Sequence, residues 1–311
     1  MIDDMESVTA KLCSFARAYH SNHERNKIFD DYLAYDLMGK EEYEEIGQLI
    51  EHDYNKALFD QAYSFSGMRI LNKLNRYISP IPLSRAAFAE RELVRFSRER
   101  GDCQYVICGA GMDTFAFRND NPKIKTFEID HPDTQRYKLE KIKKLEWNIP
   151  ANVRFVAVDF SKDDMAMELK KAGYDPNAPS FFAILGVTYY LTLPVFEETL
   201  ERIGAISAVG SKLVFDFPDE TTLRDDTSER VSTLSGITES LGETMLHGYS
   251  VPEVDEALTR HGFIIDEHAT PKKIQERFFE NRDDGQSAFE NIHFILAKRG
   301  DKFNESYYLY I

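Results

Sequence analysis

Three short stretches carry side chains whose types and spacing suit a small ligand. The first is Gly109-Ala110-Gly111-Met112-Asp113-Thr114, directly after the apolar run Gln104–Cys108. Glycine after a buried strand lets the backbone turn sharply and lets a ligand approach where a Cβ would otherwise stand. The second is Phe127-Glu128-Ile129-Asp130, which closes another β-rich run and ends 19 residues after Gly111. A carboxylate so placed, at the tip of the neighbouring strand, can accept hydrogen bonds from both hydroxyls of a ribose. The competing role for Asp130 is to cap the helix that opens at His131-Pro132. Glu128 is expected to point to the other face of the strand, below the rim. The third stretch is Ala157-Val158-Asp159-Phe160. Asp159 can accept from an exocyclic amine, and Phe160 can cover an apolar ring. Together the three strand tips describe a nucleoside pocket.

Phosphate decides among nucleoside ligands. Dinucleotide sites usually carry a third glycine in the loop, which allows close helix packing. Here that position is Thr114, preceded by Met112 and Asp113. An anionic Asp113 at a helix start opposes a pyrophosphate. It suits a ligand with a positive centre, such as the sulfonium and amino group of S-adenosylmethionine.

The elements that must position these residues change character at Gly101. Residues 1–100 read as helical throughout. Apolar side chains recur at helical spacing over Thr9–Tyr19, Lys40–Leu58 and Met68–Tyr77. Ser79-Pro80-Ile81-Pro82 reads as a break, and a fourth helix is expected from Ser84, as N-cap, to Arg98. Beyond Gly101, β-rich runs at Gln104–Cys108, Lys125–Ile129, Val153–Val158, Phe181–Leu185 and Leu213–Phe217 alternate with helical stretches. That alternation implies a parallel sheet. After a polar segment, Asp219–Ser250, come a helix at Pro252–Arg260 and strands at Phe263–Glu267 and His293–Arg299. With no strong helical pattern between them, those two strands are expected to pair antiparallel at the sheet edge. The expected organisation is a helical cap over 1–100 and a ligand-binding α/β domain over 101–311, with 219–250 as an inserted lid, since loops of that length are usually functional lids or disordered.

Composition narrows the partners. The 311 residues carry 38 Lys plus Arg against 53 Asp plus Glu, a formal net charge of −15, which counts against nucleic acid and anionic membranes. No apolar run approaches the roughly 18 to 20 residues needed to span a bilayer. The opening Met1-Ile2-Asp3-Asp4-Met5-Glu6 is acidic where a signal peptide is basic and then apolar. Cys13, Cys103 and Cys108 form no CxxC pair, so neither a disulfide framework nor a thiolate zinc site is expected. Reduced cysteines, a cytoplasmic location and no metal follow as expectations.

The same residues carry a family resemblance over most of the chain. It runs through Phe15-Ala16-Arg17-Ala18-Tyr19-His20, Ile28-Phe29-Asp30-Asp31-Tyr32-Leu33-Ala34, Ser84-Arg85, Gly109 to Arg118, Glu128-Ile129-Asp130-His131-Pro132, Val158-Asp159-Phe160 and Gly186-Val187-Thr188-Tyr189-Tyr190-Leu191. The chain resembles the leucine carboxyl methyltransferase family, in particular its polyketide O-methyltransferase branch of the tetracenomycin type. The resemblance implies a class I methyltransferase sheet of seven strands with the last pair antiparallel, and S-adenosylmethionine as methyl donor. It implies that Gly109, Ala110 and Gly111, with Asp113 and Thr114, lie beside the methionine part of the cofactor. Asp130, with His131, would hold the ribose, and Asp159 and Phe160 the adenine. Arg85 would pair with the cofactor carboxylate.

One position departs from the family pattern. Leu185, before Gly186, stands where the family often has a Glu near the cofactor's amino group. Tyr189 and Tyr190 fall where the acceptor pocket begins, and Tyr19 and His20 on a helix that folds over it. Tyr189, Tyr190 and His20 are therefore the catalytic candidates.

The implied activity is O-methylation of a small aromatic or polyketide-like molecule. A carboxylate acceptor, with a pKa of about 4, needs no base at neutral pH, whereas a phenol at about 10 does. Three alternatives stand beside it. A protein C-terminal carboxyl methyltransferase follows from family kinship, and a non-catalytic cofactor-binding member follows from Leu185. A nicotinamide-dependent oxidoreductase is disfavoured by Thr114 and the sheet order.

Overall fold

The computed structural model describes residues 8–52, 72–160, 162–240 and 242–301. Its centre is laid down by the most apolar runs. Strands β1 (Cys103–Cys108), β2 (Ile124–Asp130), β3 (Val153–Ala157), β4 (Ser180–Ile184) and β5 (Lys212–Pro218) are parallel. β6 (Phe263–Ala269) and β7 (Ile292–Arg299) complete a seven-stranded sheet in the order β3-β2-β1-β4-β5-β7-β6. β7 runs antiparallel to both of its neighbours. β1, β4 and β5 are buried along their whole length, as a parallel sheet covered on both faces requires. The strand order reverses between β1 and β4, the switch point at whose strand carboxyl ends open α/β sheets bind their ligands.

Helices cover both faces. α1 (Val8–His23), α2 (Ala34–Met38) and α3 (Lys40–His52) precede the long α4 (Pro80–Arg100). α4 lays Phe88, Leu93 and Phe96 against Tyr105, Phe181 and Val214 of the sheet. The short α5 (Phe115–Arg118) follows β1, and α6 (Pro132–Lys144), α7 (Met165–Lys171) and α8 (Leu193–Ile206) are the later crossovers. α7, α8 and α10 (Val251–Arg260) pack on the opposite face around Val106, Phe127, Phe182 and Phe215. The N-terminal helices have a small core of their own, with Leu12, Phe15, Met38, Ile46 and Ile50.

Several sequence expectations are corrected. The fourth helix begins at Pro80, not Ser84. Both prolines lie in its first turn, where the missing N–H has no intrahelical partner to lose. Ser84 is inside the helix and donates its hydroxyl to the Pro80 carbonyl. The stretch before it is one π-helical turn, Leu74–Ile78, that leads directly into α4. The remainder of the expected Met68–Tyr77 helix, up to residue 71, and the end of the Lys40–Leu58 helix lie outside the described residues. The polar segment Asp219–Ser250 is not a bare loop. It contains α9 (Glu229–Ser240), whose Ile237 joins the core of the N-terminal helices. Its polar composition hides one apolar face, supplied by Val231, Leu234 and Ile237 at helical spacing. Among the described residues no helix is long and apolar enough to cross a membrane.

Candidate active site

The glycine turn between β1 and α5 depends on backbone that other residues avoid. Gly109 has φ of 75° and Gly111 of 49°, both left-handed. A Cβ on Gly109 would stand 2.9 Å from Val187 Cγ2, so the turn is packed against the residues that leave β4. A Cβ on Gly111 would meet nothing nearer than Ala10 at 4.0 Å, which leaves open space above the loop. The Gly111 N–H donates to Asp130 Oδ2, and the His131 N–H donates to Oδ1 at 2.7 Å. Asp130 therefore bridges the tips of β1 and β2. The N-cap of α6 is His131, whose Nδ1 accepts the Asp133 N–H, so Asp130 is released from the capping role. Burial raises the Asp130 carboxyl above its ordinary range, against the two backbone donors.

Two neighbours lie differently from expectation. Glu128 and Asp130 are two residues apart on one strand and so share a face. Glu128 sits fully buried beneath Asp130 and is ion-paired with Lys138 of α6. Burial pushes its carboxyl up to about 7, with Lys138 opposing and Asp113 and Asp130 adding to the rise. Thr114 does not face the crevice. It is wholly buried, with its hydroxyl donating to Asp31. Asp31, itself 1% exposed, also accepts from Arg17 Nε at 2.9 Å, while Arg17 Nη2 donates to the Met112 carbonyl at 2.8 Å. Arg118 joins Thr114 at 2.8 Å and pairs with Glu90 of α4. The N-terminal helical segment and α4 thereby hold the glycine loop from two sides. The Asp113 carboxylate accepts the Phe115 N–H at 2.7 Å and starts α5.

At the third tip Asp159 is half-buried, 2.7 Å from Lys162 Nζ and 3.9 Å from His131 Nε2. Phe160 beside it is 39% exposed. Gly111, Asp130, His131 and Asp159 thus converge from the ends of β1, β2 and β3.

A second half of the site lies over β4 and β5. Gly186, with φ of 73°, donates its N–H to Asp216 Oδ1 at 2.7 Å. Asp216 is completely buried in the middle of the apolar β5. Its Oδ2 accepts the Tyr189 hydroxyl at 2.7 Å and Arg85 Nη1 at 3.1 Å. Above this group is a cavity of about 70 Å³. Its walls are Thr9, Leu12 and Cys13 of α1, Ile78, Ile81, Pro82 and Arg85 at the start of α4, Gly186, Tyr189 and Tyr190, and Leu234, Ile237, Thr238 and Met245 from the α9 region. Among the described residues Arg85 is the one ionised side chain in that lining. Burial holds both tyrosines well above their ordinary pKa, so they are hydrogen-bond donors and not bases. Leu185 packs into the apolar cluster under the cavity.

Tyr19 and His20 are not in the cavity wall. Tyr19 stacks on Phe15 and His23 within the cap. His20 is buried, and its Nε2 accepts the Ile28 N–H at 2.9 Å. Burial and the nearby Arg282 lower its pKa to about 4, so it is a neutral structural imidazole. Two residues central to this geometry were missed in the sequence reading, Asp216 and Asp31. Asp216 had a usable signal, since a lone carboxylate inside Leu213-Val214-Phe215-Asp216-Phe217 is costly to bury unless partnered.

This strand order, with a glycine turn and an acidic tip over the first two parallel strands, is that of a class I S-adenosylmethionine-dependent methyltransferase. A sequence model of leucine carboxyl methyltransferases matches residues 10–204, and the chain belongs to that family. YktD of Bacillus subtilis (strain 168), provisionally named an S-adenosyl-L-methionine-dependent methyltransferase, is 35% identical over 297 residues, covering 94% of this chain and 97% of that one. A Mycobacterium marinum (strain ATCC BAA-535 / M) protein with the same provisional name is 30% identical over 223 residues, covering 70% and 73%. The crystal structure of a DUF574 family protein from Streptomyces avermitilis superposes with a TM-score of 0.52 at 12% identity, covering 81% of this chain and 97% of that one. S-adenosylmethionine is the cofactor. The residues fit it, because the left-handed Gly111 leaves open space above the loop and the Asp130 carboxylate stands at the strand tip beside it. Among the described residues no group of three or more His, Cys, Asp or Glu could hold a metal ion.

Proposed function

We propose that the protein is an O-methyltransferase of the polyketide-modifying type, acting on a small apolar molecule that presents a carboxylate or a hydroxyl. The observation that carries this reading is the cavity beside Gly186, enclosed by α1, α4 and α9, lined by apolar side chains and holding a single cation. In this reading Gly109, Ala110 and Gly111 seat the methionine part of the cofactor, and Arg85 faces its carboxylate. Asp130 with His131 holds the ribose, and Asp159 and Phe160 hold the adenine. The cofactor supplies a methyl group on a sulfonium, already activated for in-line displacement. The protein's share is then to align the acceptor and exclude water.

A carboxylate is the better-matched acceptor group. Among the described residues no imidazole or carboxylate lines the cavity to deprotonate a hydroxyl, whereas a carboxylate arrives ionised and needs no base. Methylation of a protein's C-terminal carboxylate is a second reading, favoured by the same chemistry and by the family's name. The small volume and the cover of α1 and α9 favour a compact acceptor over a peptide.

The test has two stages. S-adenosylhomocysteine should raise the melting temperature and NAD should not, with about 2.7 kcal/mol added at about 100 times the dissociation constant. Methyl-labelled cofactor is then incubated with phenylacetate, 2-naphthol and a peptide ending in leucine. Base-labile label on phenylacetate is the expected result. Label on the peptide alone supports the second reading, and cofactor binding without transfer to any acceptor class supports a binding-only protein.

A further inference from the structure

Beneath the cavity Arg85, which lines it, is ion-paired with the buried Asp216, a charge pair that the apolar walls do not need. Burying a guanidinium and a carboxylate together is often no better for stability than filling the space with apolar side chains. Here the pair is also placed with unusual restraint. Asp216 is 0% exposed and receives three donors, the Gly186 N–H, the Tyr189 hydroxyl and Arg85 Nη1. The guanidinium lies across Gly186 so closely that a Cβ there would stand 2.4 Å from Nη2. Among the described residues the hydrogen bonds of Arg85 run only to Asp216 and, at 3.8 Å, to Cys13 Sγ, a weak acceptor. Arg85 therefore lines the cavity with N–H groups that no oxygen of the described residues accepts.

We propose that Asp216 is a positioning residue that holds Arg85 as a ready-made receptor for a ligand carboxylate in this cavity. The inference rests on reading the cavity as the methyl-transfer site. The physical argument is one of shared charge. The two neutral donors from Gly186 and Tyr189 absorb much of the Asp216 charge. That leaves the fixed guanidinium able to serve a second carboxylate through its remaining N–H groups. A guanidinium pinned in its binding geometry also loses little freedom when the ligand arrives. The carboxylate belongs either to the amino-acid end of the cofactor or to the acceptor, and binding measurements separate the two.

The experiment compares wild type with Asp216→Asn by calorimetric titration. The first pair of ligands is S-adenosylhomocysteine and 5′-methylthioadenosine, which lacks the amino-acid end. The second is phenylacetate and 2-phenylethanol, titrated into protein saturated with S-adenosylhomocysteine. If the cofactor carboxylate is the partner, Asp216→Asn binds S-adenosylhomocysteine at least tenfold more weakly and methylthioadenosine within twofold of wild type. If the acceptor carboxylate is the partner, the nucleosides are unchanged and phenylacetate alone loses tenfold or more. In either case Asp216→Asn should add nothing further to Arg85→Met. Should Asp216→Asn fail to fold, Asp216→Glu moves the same charge by one methylene and must shrink the same ligand preference.

Equal weakening of both nucleosides, or no change for any carboxylate ligand, overturns the inference. Wild-type protein that binds no S-adenosylhomocysteine overturns the methyl-transfer reading itself, and the inference with it.

Discussion

Gly186→Ala isolates one contact at the centre of the site. Gly186 has φ of 73°, where an L side chain carries strain of about 1 to 2 kcal/mol. Its new Cβ would stand 2.4, 2.6 and 2.7 Å from Nη2, Nη1 and Cζ of Arg85. The guanidinium must leave, and Asp216 then keeps two neutral donors and no cation. Separating a buried ion pair costs about 3 to 5 kcal/mol. Because two donors remain, the lower end applies, and the total expected loss is about 4 kcal/mol. Gly111→Ala is the reference. It shares a left-handed backbone, at φ of 49°, but its Cβ meets nothing within 4.0 Å, so strain alone, about 1 kcal/mol, is expected. Urea unfolding of the three proteins, with a common slope, reads the difference as a shift in midpoint. The reasoning fails if Gly186→Ala is no less stable than Gly111→Ala. The guanidinium would then swing aside freely, and Asp216 would not be holding it.

The other expectations use different groups. Asp130→Ala should weaken S-adenosylhomocysteine binding by about 1.5 to 3 kcal/mol, the range for hydrogen bonds to a charged group, and leave the fold intact; unchanged affinity in a calorimetric titration removes Asp130 from the cofactor site. His20 stays neutral in the fold down to about pH 4, whereas it protonates near pH 6.5 when unfolded, at about the ordinary imidazole value. The unfolded chain takes up the proton first as pH falls, so stability is whole above pH 6.5 and drains toward pH 4, by about 1.4 kcal/mol per pH unit. His20→Asn should flatten that acid limb in melts from pH 7 to 4, and an identical slope in the variant refutes it. Asp31→Ala strands Arg17 and releases Thr114 at the glycine loop, so a loss of about 3 to 5 kcal/mol is expected on chemical unfolding. A change below about 1 kcal/mol would mean that the cap is not clamped there.

The sequence by itself determined what is local. The strands of the sheet stand out as apolar runs, the glycine turn and Asp130 occupy the ends of two of them, and the family resemblance agrees with their number. Those features need only neighbours in the chain, because strand period, turn chemistry and strand ends are short-range properties. The tertiary structure decided everything that depends on which elements meet. Arg85 and Asp216 are 131 residues apart and become partners only because β5 lies beside β4 and α4 crosses both. Asp31 reaches Thr114 across 83 residues in the same way. His20, read as a pocket residue from its place on α1, turns into the cap because Ile28 offers a backbone donor there. A helix sequence specifies which side chains share a face, but only packing specifies what that face meets. For the same reason the polar stretch after β5 read as a loop: the apolar face of α9 has no meaning until the cavity and the N-terminal helices are there to be covered.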